Sequence, residues 1–183
     1  MSYLILGIIV FVAVHSVPQT KLRQTMVDRF SLRGYLMLFS LGSALGMGLL
    51  VYGKGNAEFI AIWNPPLWTR HLTMLLTLIA TILLAASAIP NSIKNYINHP
   101  MLAGVGVWGA AHLIANGDLA SMLLFGSFLG FSVYKIRVLN KRHASPEPKS
   151  VSLVWNAGTV GTGVGIYAAA VIFHQNIAGI PLF

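Results

Sequence analysis

Long apolar runs recur from one end of this 183-residue chain to the other, and they leave little choice of fold. They fall at about residues 2–19, 34–52, 67–89, 100–116, 118–135 and 153–174. A bilayer core about 30 Å thick takes about 20 residues of helix to cross. Lipid offers the backbone no hydrogen-bond partner, so each run is expected as a helix. The second, third and sixth runs are long enough, the first only if it extends beyond Val17, and the fourth is short. Pro18, Pro65, Pro66, Pro90, Pro100 and Pro146 fall at the proposed boundaries, where a helix tolerates them. The expected fold is an all-α, polytopic transmembrane helical bundle of about six spans, forming a single integral-membrane domain over residues 1–183.

Only 9% of the residues are charged, against roughly 25% for an ordinary soluble domain. Twelve Lys and Arg against four Asp and Glu give a net charge of +8. That excess does not point to nucleic acid, because the charges sit in short loops between apolar runs. Lys21, Arg23, Arg29, Arg33, Lys94, Lys135, Arg137, Lys141, Arg142 and Lys149 all fall on one side of the membrane if there are six spans. Lys54 and Arg70, with Glu58 and Asp118, are left for the other. The positive-inside rule then puts both termini outside the cytoplasm and anionic headgroups beside the basic loops. The first run follows no basic segment and precedes no small-residue cleavage pattern, so it is expected as a retained helix in a prokaryotic inner membrane. Without cysteine there is no disulfide, thiolate ligand or iron–sulfur cluster.

Glycines repeat at helix-packing spacing as Gly42 and Gly46, Gly126 and Gly130, and Gly161 and Gly165. The run Gly158 to Gly165 is not a phosphate loop, since it lacks the Gly-Lys-Ser/Thr ending and lies in an apolar segment; packing is its expected role. The polar stretch His143 to Ser150 reads as a cytoplasmic loop.

Six histidines divide by their flanks. His143 is expected to be solvated, His174 to reach the interface from the end of the sixth span, and His71 to anchor the start of the third. His99, before Pro100, caps the fourth helix or touches a headgroup. His15 and His112 lie inside apolar sequence, where an ionisable group is costly and a functional site is the default reading. Each alone is satisfied by one hydrogen bond to a neighbouring helix; a shared iron accounts for both at once. The two positions differ in depth by roughly 10 Å on a simple helical reading, a gap that narrows if the turn Asn116-Gly117-Asp118 is recessed. Asp118 in that turn either caps the next helix or orients a histidine, binds a propionate or moves a proton; capping is the plainer reading. Trp108, four residues before His112 and on the same helical face, flanks a macrocycle or packs in lipid.

The segments Val12-Ala-Val-His15-Ser-Val17, Arg33-Gly-Tyr-Leu-Met-Leu-Phe39, Trp68-Thr-Arg-His71, His99-Pro100-Met-Leu-Ala-Gly104 and Trp108-Gly-Ala-Ala-His112-Leu-Ile-Ala-Asn116-Gly-Asp118-Leu-Ala-Ser121 stand out together. Taken as a set, they resemble the NnrU family of bacterial membrane proteins. The resemblance covers about residues 3 to 140, and the segment from His99 to Ser121 is its most specific part. The family is associated with denitrification and nitrogen-oxide metabolism and is related to the 15-cis-zeta-carotene isomerase of plants and cyanobacteria. The isomerase branch implies a haem b with two axial histidines, matching His15 and His112; Trp108, His99 and Asp118, singled out on their own positions, are the further candidates around the cofactor. Asn98 stands where that branch usually has Arg, and no Arg- and Glu-rich soluble segment follows the fifth span, so the shorter NnrU branch is the nearer one. The His-Pro-x-x-x-Gly element also resembles integral-membrane methyltransferases, but those need a downstream Arg and Glu pair, and only Glu147 follows Asp118 here.

The expectations are therefore a haem b-binding membrane protein in nitrogen-oxide or redox metabolism, with lipid, haem and a nitrogen-oxide species as partners. The alternatives are a haem-dependent cis–trans isomerase of a hydrophobic polyene and a cofactor-free assembly protein.

Overall fold

A computed structural model describes residues 1–141, 149–179 and 182. His143, Pro146 and Glu147 lie outside the described residues. The helices are α1 (Ser2–Ser16), α2 (Lys21–Gly55), α3 (Trp68–Ala88), α4 (Pro100–Ala115), α5 (Leu119–Asn140), α6 (Leu153–Ile172) and α7 (His174–Ala178). Short 3₁₀ turns at Val17–Gln19 and Ser92–Asn95 complete the order, and the described residues form no strand. The chain divides into two compact units, residues 1–60 and 61–183.

Each of the six apolar runs is helical. Four helices are long and apolar enough to cross a membrane: α1 with its 3₁₀ extension to Gln19, α2, α3 and α5. The other two depart from that standard for different reasons. α4 is apolar but has 16 residues, a rise of roughly 24 Å. α6 has 20 residues, but Asn156, Thr159, Thr162 and four glycines dilute its apolar character.

Residues 1–60 pack α1 against α2 through glycine. A Cβ on Gly46 would lie 3.1 Å from the Phe11 nitrogen, one on Gly42 2.9 Å from a Val14 methyl, and one on Gly7 2.7 Å from the Leu50 nitrogen. Gly53 sits directly against the Leu4 backbone. The helices run antiparallel, with Val14, Phe11, Gly7 and Leu4 meeting Gly42, Gly46, Leu50 and Gly53 in turn. Between lipid-embedded helices there is no hydrophobic drive, so such close approach supplies the dispersion contacts that hold them.

The expected first loop, residues 20–33, is instead helical from Lys21. The reason is its mixed pattern: Leu22, Met26, Val27 and Phe30 alternate with basic residues, enough for an amphipathic helix but too polar to register as a span. α2 breaks at Ser31, the one non-glycine residue with positive φ among the described residues (φ 63°, ψ 168°). Its Oγ accepts from the Gly34 amide at 3.4 Å, starting the second half of the helix as an N-cap would.

Residues 61–183 place α4 against both α3 and α5, with α6 on α3. The buried positions are mostly small: Ala80, Ala85 and Ala86 on α3, Gly104, Gly109 and Ala111 on α4, Ala120 and Ser121 on α5, and Thr159 and Gly163 on α6. A Cβ on Gly104 would meet the Ala80 carbonyl at 2.9 Å, one on Gly109 the Phe125 carbonyl at 2.9 Å, and one on Gly163 Ile82 at 2.6 Å. A Cβ on Gly126, Gly130, Gly161 or Gly165 would meet nothing within 4 Å among the described residues, so their spacing does not show as close packing there. Buried hydroxyls turn back onto their own helices: Thr81 donates to the Leu78 carbonyl at 2.9 Å and Thr159 to that of Trp155 at 2.9 Å. The outward faces carry large apolar residues such as Leu75, Ile79 and Val133, suited to lipid.

The turn between α4 and α5 is clasped by residues 61–63. The amides of Ile62 and Trp63 both donate to the Gly117 carbonyl (2.7 and 3.2 Å), and the Trp63 indole donates to that of Asn116 at 3.3 Å. Gly117 is pressed against the Trp63 carbonyl, so no side chain fits there.

Two substitutions test this packing. Gly46→Ile should lower the melting temperature of the detergent-purified protein by roughly 5 °C through overpacking, while Gly126→Ala leaves it within about 1 °C. Gly117→Ala should speed hydrogen exchange at the Ile62 and Trp63 amides about tenfold, read by mass spectrometry, because their shared acceptor is displaced.

Candidate functional site

His15 lies in the last turn of α1, half-buried within residues 1–60. Its Nδ1 lies 2.8 Å from the Phe11 carbonyl one turn earlier. The ring stacks on Phe11 (centroids 3.9 Å apart, planes at 24°) and meets the edge of Phe39 at 5.3 Å. The imidazole therefore has a fixed plane as well as a fixed nitrogen. A small cavity lined by Val14, Val17, Met26, Tyr35, Leu38 and Phe39 lies in the same unit.

His112, in the last turn of α4 within residues 61–183, repeats the arrangement. Its Nδ1 lies 2.9 Å from the Trp108 carbonyl, again four residues back. Phe125 packs at 4.6 Å and Trp108 at 4.9 Å. α4 ends here, with the His112 carbonyl accepting from the Asn116 backbone amide at 3.0 Å and its side-chain amide at 2.8 Å. Thr73 on α3 donates to the neighbouring Ala111 carbonyl at 2.8 Å.

The chemical consequence is the same in both helices. A carbonyl oxygen only accepts, so in each ring Nδ1 is the nitrogen that carries the proton toward it. A metal-bound histidine has this form, its outer N–H given to a carbonyl that sets both tautomer and ring orientation. Among the described residues no group of three or more His, Asp or Glu could hold a metal ion by itself. A porphyrin supplies four nitrogens of its own and asks the protein only for axial ligands, so a pair of single histidines suits it.

The remaining sequence candidates fall into different roles. Trp108 packs edge-on to Phe125 (5.0 Å) and Phe128 (5.6 Å), joining α4 to α5. Asp118 is buried and caps α5: one carboxylate oxygen accepts from the Ser121 amide at 2.9 Å and the other from its hydroxyl at 2.5 Å. His71 is exposed in the first turn of α3, and His174 opens α7.

His99 corrects one expectation. It occupies the N-cap position of α4, but its side chain does not cap the helix. Its Nε2 is buried with no hydrogen-bond partner among the described residues. It lines a cavity of about 470 Å³ with Lys94, Asn95, Asn98 and Lys149. Sequence reasoning missed the grouping because Asn95 and Lys149 lie in different loops, joined only by a backbone–amide pairing (2.9 and 3.1 Å). The dense polar run Asn91-Ser-Ile-Lys94-Asn95 was its one visible signal.

Among curated proteins and among solved structures, nothing matches this chain. The sequence model described as NnrU protein matches residues 3–182, nearly the whole chain, including both pinned histidines. The chain belongs to the NnrU family.

Proposed function

We propose that this NnrU-family membrane protein binds haem b, with His15 and His112 as the two axial ligands, and acts in nitrogen-oxide or redox metabolism. The observation that supports the reading is the shared Nδ1–carbonyl geometry (2.8 and 2.9 Å), which fixes the tautomer and plane of both rings. Haem held by these two histidines would supply electron transfer and diatomic-gas chemistry. This chain's residues divide the remaining work. The Phe11 and Trp108 carbonyls hold each ring against rotation and select the tautomer protonated at Nδ1. Phe11, Phe39, Trp108 and Phe125 surround the rings with apolar surface that excludes water. Asp118 caps α5 through the Ser121 amide and hydroxyl.

The purified protein, supplied with haem, should give a low-spin Soret band with sharp α and β bands on reduction. His15→Ala and His112→Ala should each weaken haem binding by more than the roughly 10–100-fold typical of losing an outer-shell partner. Asp118→Asn keeps a cap and should leave the spectrum unchanged. A protein that takes up no haem, or two alanine variants that bind it as the parent does, would sink the proposal.

The same reading places all six long helices across the membrane, with the basic loops on the cytoplasmic side and both termini outside. Alkaline phosphatase fused at the C-terminus should be active, and fused after Lys141 inactive. The reverse pattern would reject this topology.

A further inference from the structure

The cavity beside His99 is built as an acceptor-seeking site. Lys94 and Lys149 bring two positive charges to it, Asn95 and Asn98 bring side-chain amides, and no carboxylate lines it among the described residues. Met101 and Leu102, in the first turn of α4, also line it. That turn has no side-chain cap, and Pro100 has no amide proton, so the helix presents its unpaired N–H groups and the positive end of its dipole here. The Ala103 amide is satisfied by the His99 carbonyl at 3.0 Å, which leaves Met101 and Leu102 as the helix's open donors. Among the described residues the His99 Nε2, in the same lining, is buried without a partner. A buried polar atom left unpaired costs stability, and a ligand oxygen that accepts from it removes the cost.

The walls are held in place. The Asn95 side chain donates to the Lys149 carbonyl at 2.9 Å and accepts from the Lys149 amide at 3.1 Å, fixing one lysine at the rim. The Asn91 side chain accepts from the Lys94 amide at 3.3 Å and donates to the Ala86 and Ile89 carbonyls (2.8 and 2.6 Å), fixing the other. Asn156 of α6 binds Ser92 through both its amide and its hydroxyl (2.8 and 3.1 Å), tying α6 to the same turn.

We propose that this cavity is a binding site for an anionic phosphate, separate from the haem site and independent of it. Charged amines, a helix N-terminus, side-chain amides and a buried imidazole nitrogen line it, and phosphate oxygens accept from N–H donors of this kind. The volume of about 470 Å³ exceeds what phosphate alone needs, and Pro90, Leu102 and Val151 add apolar wall for a glycerol or acyl stem. The phosphate comes from an anionic lipid headgroup or from a soluble phosphate ester, and the experiment separates the two.

Native mass spectrometry of the detergent-purified full chain would compare retention of dioleoyl phosphatidylglycerol and dioleoyl phosphatidylcholine. The anionic lipid should be retained at least about tenfold better, and Lys94→Gln/Lys149→Gln should reduce its retention about 30-fold. Lys21→Gln/Arg137→Gln removes the same charge elsewhere and should keep the preference. His99→Asn gives a second variant within the site and should weaken binding in the same direction. Displacement of the lipid by millimolar glycerol 3-phosphate assigns the site to a soluble ester, and lack of displacement assigns it to the headgroup. Equal retention of both lipids with no glycerol 3-phosphate adduct overturns the proposal, as does an equal loss in the off-site double variant.

Discussion

In lipid, apolar side chains gain nothing by leaving their solvent for one another, so helices associate only where their backbones come close. That constraint organises both units of this protein. In residues 1–60 a line of glycines on one helix receives the backbone of the other, with Gly46 against Phe11 and Gly53 against Leu4. In residues 61–183 the largest fully buried side chains are Thr159, Ser121 and Ser132, not leucines or phenylalanines. The bulky apolar residues are displaced to the outside, the inverse of a water-soluble core. Each buried hydroxyl that turns onto a carbonyl of its own helix gives polar character no chance to disturb this packing.

The candidate site depends on the same regularity at smaller scale. A histidine in a helix whose ring folds back toward the N-terminus finds the carbonyl four residues earlier within reach of Nδ1. Two histidines do this on different helices, each beside an aromatic residue at the same i−4 offset, Phe11 and Trp108. Simple helix geometry thus fixes the plane of both rings without needing a dedicated orienting residue, which fits a chain with only four carboxylates.

Most of the helical framework was legible because the apolar runs are long and proline marks their ends. What escaped had different physical causes. The helix from Lys21 to Phe30 was missed because amphipathic sequence carries charge and does not stand out by hydropathy. Glycine spacing found Gly42 and Gly46 but misjudged Gly126 and Gly130, because period shows which residues share a face and not whether another helix covers that face. Gly104, Gly109 and Gly163, which do make close contacts, have no partner at the spacing sought. His15 and His112 were visible as ionisable groups in apolar sequence, while the pinned nitrogen required coordinates. The setting of His99 could not be read at all, since it depends on Lys149, fifty positions downstream, reaching the turn at Asn95.

The brevity of α4 bears on how the chain enters a membrane. A rise of roughly 24 Å makes it a weak candidate for independent release into lipid from the secretory translocon. A three-residue turn joins it to the 22-residue α5, which is amply apolar. The two helices are thus expected to leave the channel as a preformed hairpin, the longer carrying the shorter. Residues 61–63, already synthesised, then meet the hairpin's turn as it emerges, so this clasp closes as a late step of biogenesis.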